Sequence, residues 1–241
     1  MQGTILVFDA DNTLWETDKL YRDAQLALLG SILNELGVVD LGHGKPLSLV
    51  RRIDQGIAEA HADGLKYPAE LLVDSLIVHL GFSADSIHSE AKQAIVSCYY
   101  SNLSKLPGLR RGVKSTFLSL HDMGISPYIF TESSAVSVQR RLKEHQLDRY
   151  VCEVISGSKK PETYAELCVR FTGSQVIMVG DQLDRDIKNA NGVGWFSIYY
   201  PGRFKNKWTR GLDCIVEPDF TVRSLSEILD SPPLIALGSK L

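Results

Sequence analysis

The chain has 241 residues, 44% hydrophobic and 23% charged, with a formal net charge of -3. This is the balance of an ordinary soluble globular protein, long enough for one large domain or a core carrying a smaller insert. It gives no electrostatic reason to expect a nucleic-acid or membrane partner, and no stretch reaches the length of a membrane-spanning helix.

The first element is a short strand, Thr4-Phe8, running into Asp9-Ala10-Asp11-Asn12-Thr13. From Lys19 to about Leu103 the pattern is helical. Leu20, Ala24, Leu28, Leu29, Ile32 and Leu36 recur at helix spacing and stop at Gly37. A second helix is expected over Leu47-His61 and a third from Pro68 to His79. A fourth, capped by Ser83, is expected to run through Ile87, Ala91, Ile95 and Tyr99.

Beyond Pro107-Gly108 strands alternate with helices. Strands are predicted at Pro127-Thr131, Val151-Ser156, Val176-Gly180 and Phe196-Tyr200, with a sixth at Asp213-Val216. Helices are predicted at Val113-Met123, Ala135-His145, Glu162-Phe171 and Arg185-Ala190. Short apolar strands separated by helices specify an α/β fold, a parallel sheet covered on both faces. The expected division is a Rossmann-like three-layer core over 1–15 and 105–241 and an all-helical insert over 16–104. Ser231-Pro232-Pro233 marks the expected end of the core, with a loosely held tail beyond.

Cys98, Cys152, Cys168 and Cys214 form no CxxC pair and have no histidines at zinc-ligand spacing. They read as reduced, mostly buried small residues of an intracellular protein. The N-terminus lacks a basic-then-apolar leader, so the expected location is cytoplasmic. The basic pairs Arg51-Arg52, Arg110-Arg111, Arg140-Arg141 and Lys159-Lys160 read mostly as solvated helix faces or loop ends.

In such sheets ligands bind at the carboxyl ends of the strands. Asp9 and Asp11 end the first strand, and Thr131-Glu132-Ser133-Ser134 the second. Lys159-Lys160-Pro161 follows the third. Gly180-Asp181 ends the fourth, with Asp184 and Asp186 just beyond. Carboxylates crowded at a buried strand end repel unless a cation or proton relieves them, which points to a divalent metal and acid chemistry. Taken alone, Asp11-Asn12-Thr13 reads equally well as a polar turn.

The ordered set resembles the haloacid dehalogenase-like hydrolase superfamily, in its phosphatase-type members with a helical cap between the first two motifs. Asp-x-Asp-x-Thr is met by Asp9, Asp11 and Thr13, the second-motif Ser/Thr by Thr131, and Lys-Pro by Lys160. Gly-Asp followed by another Asp is met by Gly180, Asp181 and Asp186. The resemblance implies hydrolysis of a phosphate monoester, with Asp9 as nucleophile and an aspartyl-phosphate intermediate. Asp11 would then be the general acid and base, and Thr13 would hold the turn. Thr131 and Lys160 would bind the phosphoryl oxygens. Mg2+ would be held by Asp9, Asp181 and Asp186, with the Asp11 backbone carbonyl. On this reading Lys159 is solvated and Asp184 is a solvated or N-cap residue.

Trp15 is the substrate-side candidate outside the motifs, with core packing as its other reading. Arg51, Arg52, His61 and Lys66 are possible leaving-group contacts, each more readily a surface residue. Many members place Asn where this chain has Glu132, and both a substrate contact and a solvent-facing carboxylate stay open there. The implied partner is a small phosphorylated metabolite; no oligomeric state follows. A 2-haloacid dehalogenase, a phosphomutase and a non-catalytic binding protein are the competing readings. Asp11 and the acidic cluster weigh against the first, and the full set of motif residues against the last.

Overall fold

A computed structural model describes residues 3–39, 41, 45–62, 64, 67–202, 209 and 211–238. The chain divides into two compact units, one of 1–17 with 106–241 and one of 18–105.

Among the described residues of the first unit, six strands form one sheet: β1 (Thr4–Phe8), β2 (Tyr128–Thr131), β3 (Glu153–Ser156), β4 (Gln175–Gly180), β5 (Phe196–Tyr199) and β6 (Phe220–Thr221). Their order is β3-β2-β1-β4-β5-β6, and every pairing is parallel. Successive strand side chains point to opposite faces, and the apolar residues sort accordingly. Leu6, Phe8, Ile129, Ile177 and Val179 enter one core; Val7, Phe130, Val176 and Met178 enter the other. Both faces need helices, so the strands are apolar runs rather than alternating ones.

The helices, numbered through the whole chain, are α1 (Thr17–Glu35), α2 (Pro46–Ala60), α3 (Ala69–His79), α4 (Ser89–Leu103), α5 (Val113–Asp122), α6 (Ala135–Glu144), α7 (Pro161–Arg170), α8 (Lys188–Gly192) and α9 (Pro232–Gly238). α5, α6 and α9 cover the Leu6 face through Phe117, Leu142 and Leu234. α7 and α8 cover the other through Tyr164, Leu167 and Ala190. The second unit, 18–105, has its own core, with Leu28, Ile32, Val50, Leu72, Leu76 and Tyr99. Among the described residues no helix is long and apolar enough to cross a membrane.

Several sequence expectations are corrected. The segment expected as strand Asp213-Val216 is a 3-10 turn at Leu212–Cys214, and the sixth strand is Phe220–Thr221. Ser83 caps only a short 3-10 turn, Ala84–Ser86. Ile87 is extended and buried, so the fourth helix starts afresh at Ser89. The expected tail is α9, whose Leu234 is 1% exposed in the main core. The four cysteines are free, but Cys98, Cys152 and Cys214 are exposed and Cys168 half-buried.

Candidate active site

The site is assembled at the carboxyl ends of β1, β2 and β4, where chain direction and sheet order bring distant residues together. The backbone N–H of Asp9 still donates to Val179 of β4 at 2.8 Å, so this carboxylate leaves the sheet in a fixed place. The chain then turns through Asn12 at φ 60°, a left-handed conformation that Asn tolerates well.

Asp9, Asp181 and Asp186 are buried, and one carboxylate oxygen from each lies within 4.8 Å of the others. Gly180 makes this approach possible. A Cβ there would stand 2.3 Å from Cγ of Asp186. Gly202 plays a similar part, since its Cβ would fall 2.7 Å from Oδ2 of Asp181. Asp186 is fixed from behind by the Gln182 N–H, which donates to its Oδ2 at 3.0 Å. Asp184 stays half-buried beside Arg185 and outside this trio.

The lysine of the site is Lys159, which corrects the assignment to Lys160. Nζ of Lys159 donates to Oδ1 of Asp9 and, at 2.5 Å, to Oδ1 of Asp186. Lys160 is exposed and is the extended N-cap residue of α7. Adjacent residues of an extended segment point opposite ways, so only one of the pair can turn inward. The lysine next to Pro161 is the one that turns out.

Burial pushes the Asp9 carboxyl up to about 7, against the pull of Lys159. Burial, then the charges of Asp9 and Asp186, carry Asp181 well above the usual carboxylate range. Burial would lower the Lys159 ammonium, but Asp186 and Asp9 outweigh it and hold the amine protonated. One ammonium facing three buried carboxylates leaves excess negative charge. Among the described residues, Oδ2 of Asp9 and Oδ1 of Asp181 are buried without a hydrogen-bond partner. An all-oxygen set with orphaned carboxylate atoms and excess negative charge fits a hard divalent cation of the Mg2+ type.

Asp11 sits apart from that trio in a cage of donors. Its Oδ1 accepts from Trp15 Nε1 at 2.9 Å, Thr17 Oγ1 at 2.6 Å and Arg141 at 2.9 Å; its Oδ2 accepts from Ser133 Oγ at 2.6 Å. Burial works to raise its pKa, but the three hydrogen bonds and the Arg141 charge together hold it below the ordinary value. Trp15 is therefore no lining residue at a pocket mouth: it is fully buried in the core and spends its N–H on Asp11. Thr13 is also fully buried; its backbone N–H donates to the Ala10 carbonyl at 3.3 Å within the turn, while its hydroxyl makes no hydrogen bond among the described residues.

Thr131 is 1% exposed at the end of β2, and its Oγ1 accepts from the Ser133 N–H at 3.1 Å. Glu132 faces neither solvent alone nor the carboxylate trio. It accepts from Arg185 and, at 3.2 Å, from the Lys159 backbone N–H. Burial opposes its ionisation, yet Arg185 outweighs that and holds it below the usual value.

Three of the four basic pairs turn toward the interior a member read as solvated: Lys159, Arg141 and Arg110. Arg110 stacks 3.4 Å over the Tyr200 ring and donates to the carbonyls of Asn12, Tyr200 and Pro201. It thus ties the first-motif turn to the segment holding Gly202. In the helical unit Arg51 pairs with Asp18 at 2.8 Å, Arg52 lies 3.4 Å from His79 and His61 packs on Tyr67; Lys66 lies outside the described residues. For Lys159 and Arg110 no sequence signal separated the inward member, because both lie in loops whose course no periodicity sets; Arg141 lies on α6, three residues after the buried Val138, where helix spacing turns it inward.

A haloacid dehalogenase-like hydrolase model matches residues 4–194. The chain is 24% identical over 234 residues to a glyceraldehyde 3-phosphate phosphatase of Methanopyrus kandleri, covering 93% of this chain and 95% of that one. It is 25% identical over 251 residues to a ribulose-1,5-bisphosphate 5-phosphatase of Halopiger xanaduensis, covering 95% and 98%. Its fold matches the magnesium-bound structure of YfnB from Bacillus subtilis with a TM-score of 0.64 at 18% identity, over 97% of this chain and 99% of that one. With its strand-end carboxylates, buried lysine and parallel sheet, the chain belongs to the haloacid dehalogenase-like hydrolases.

Proposed function

We propose that this hydrolase removes the phosphoryl group from a small phosphorylated metabolite through a covalent intermediate on Asp9. The observation that carries the reading is the state of that carboxylate. Its Oδ1 is held by Lys159 while its Oδ2 is buried with no partner among the described residues, at the strand end where a substrate must enter. In the first half-reaction Asp9 Oδ2 forms a bond to phosphorus as the phosphorus–leaving-oxygen bond breaks. The leaving oxygen takes its proton from Asp11. In the second, Asp11 takes a proton from water, whose oxygen attacks phosphorus and returns Asp9 as a carboxylate.

The donor cage around Asp11 favours the ionised state, which suits the second half-reaction. The first requires Asp11 to enter it protonated, the state in which the second half-reaction leaves it. Lys159 and the Thr131 hydroxyl neutralise charge on the phosphoryl oxygens. Asp9, Asp181, Asp186 and the Asp11 carbonyl would hold Mg2+, which supplies charge neutralisation when bound. The helical unit is proposed as the cap that selects the leaving group. The names of the two curated relatives support a short phosphorylated carbon compound as substrate class.

The test is phosphate release from a panel of phosphate monoesters, with magnesium or with chelator, by the wild type and by Asp9→Asn. Magnesium-dependent release that disappears in the variant is expected. A folded, magnesium-loaded protein that releases no phosphate from any ester would sink this reading and redirect attention to 2-haloacids and phosphomutase assays.

A further inference from the structure

We infer that Glu132 and Arg185 form a charge-neutral clamp that positions Lys159 at the phosphoryl site, with Arg185 shielding the incoming phosphate from the Glu132 carboxylate. The inference rests on the phosphatase reading above. Glu132 directly follows Thr131, the hydroxyl proposed for the phosphoryl group. An anion next to an anion-binding hydroxyl repels the ligand unless another group absorbs its charge.

Arg185 is placed to absorb it. The guanidinium donates to Oε2 of Glu132, and both side chains are about one-third exposed or less, at 27% and 33%. The other Glu132 oxygen, Oε1, accepts from the Lys159 backbone N–H at 3.2 Å. Asn189 closes the same arrangement from the far side: its Nδ2 donates to the Lys159 carbonyl at 2.9 Å and to the Arg185 carbonyl at 3.0 Å. Lys159 lies between β3 and α7, where no ladder or helix bond fixes its backbone. The clamp supplies that fixation from the loops after β2 and β4. Because the pair is neutral as a whole, the Lys159 ammonium remains committed to Asp9 and Asp186.

This assigns Glu132 and Arg185 as positioning residues, and it predicts an unusual epistasis. Arg185→Gln leaves the Glu132 charge uncompensated and is expected to raise KM for p-nitrophenyl phosphate on the order of tenfold. Adding Glu132→Gln removes that charge and keeps an acceptor for the Lys159 N–H. The double variant is therefore expected to recover most of the lost KM. Orthovanadate binding, which needs no turnover, should weaken and recover in the same order. Arg185→Lys keeps the charge and should stay close to wild type in KM; thermal melts check that each variant is folded.

A double variant no better than Arg185→Gln, with an active wild type, would overturn the clamp while leaving the phosphatase reading intact. So would an Arg185→Lys KM as high as that of Arg185→Gln, the check that stands if the glutamine variants do not fold. A wild type that hydrolyses no ester and binds no vanadate would fail at the earlier step, and the clamp would fall with the phosphatase reading.

Discussion

The Lys159 ammonium lies 2.5 Å from the Asp186 carboxylate, inside the core and on the far side of its backbone from Lys160. The two lysines are neighbours in sequence and opposites in environment. Removing the inward one strips the carboxylate trio of the ammonium that faces Asp9 and Asp186 and, on the proposed reaction, deprives the phosphoryl group of a positive charge. Lys159→Met is expected to lower kcat/KM by about a hundredfold or more, the scale of losing one preorganised donor. Lys160→Met changes an exposed side chain and is expected to alter stability by no more than about 0.5 kcal/mol. Steady-state kinetics and melts of the two variants side by side check this, and equal losses in both would contradict the assignment.

Gly180 has no side chain because Asp186 occupies the space where one would be. With a Cβ only 2.4 Å from the Asp186 Cβ, Gly180→Ala must displace that carboxylate or the end of β4. A displacement near an ångström at a reacting centre costs on the order of a hundredfold in rate. The expected result is a folded protein with a lower melting temperature, much reduced turnover and weakened magnesium affinity. Activity and magnesium titrations like those of the wild type would show that the strand end yields more easily than its packing indicates.

The legible part of the sequence was the part governed by period and by strand ends. The strand Ile5-Leu6-Val7-Phe8 marked the start of the sheet, while its two carboxylates alone fitted a polar turn equally well; the ordered polar residues at the later strand ends are what made the candidate site legible. The insert was legible as helix from Leu28, Ile32 and their neighbours. What failed was whatever depends on a side chain's direction outside regular structure. Lys159 against Lys160 is set by loop geometry, which carries no periodic signal, whereas Arg141 lies on α6 three residues after the buried Val138, so helix spacing sets its inward direction. The strand expected at Asp213-Val216 failed for a related reason: four residues of mixed polarity fit a 3-10 turn as readily as a short edge strand.

The C-terminal segment gives a direct stability test. Ser-Pro-Pro looked like the end of the fold, yet Pro232 and Pro233 open a helix, where a missing N–H costs little. Leu234 then reaches the core at 1% exposure, while Ile235 is 54% exposed. Leu234→Ala is expected to destabilise the protein by about 2–5 kcal/mol. Ile235→Ala should change stability by about 0.5 kcal/mol or less. Urea unfolding of both variants measures the contrast; matching midpoints would mean that the segment contributes little to the core.

The raised carboxyls tie magnesium binding to pH. Asp9 has an ordinary pKa of 3.8 and titrates near about 7 in the metal-free fold. The native state therefore holds its proton more tightly than the unfolded chain, and Asp181 is displaced in the same direction. Across the window from 3.8 to about 7, the contribution of Asp9 to metal-free stability falls as pH rises and is lost above it, and Asp181 acts in the same direction. A divalent cation relieves the same repulsion but must displace the proton at low pH. The rise in melting temperature on adding magnesium is thus expected to be larger near about pH 8 than near about pH 5.5, with chelator reversing it. Asp9→Asn, which removes one titrating ligand, should flatten this difference. An equal magnesium effect at both pH values would mean that the carboxylate trio is not where the cation binds.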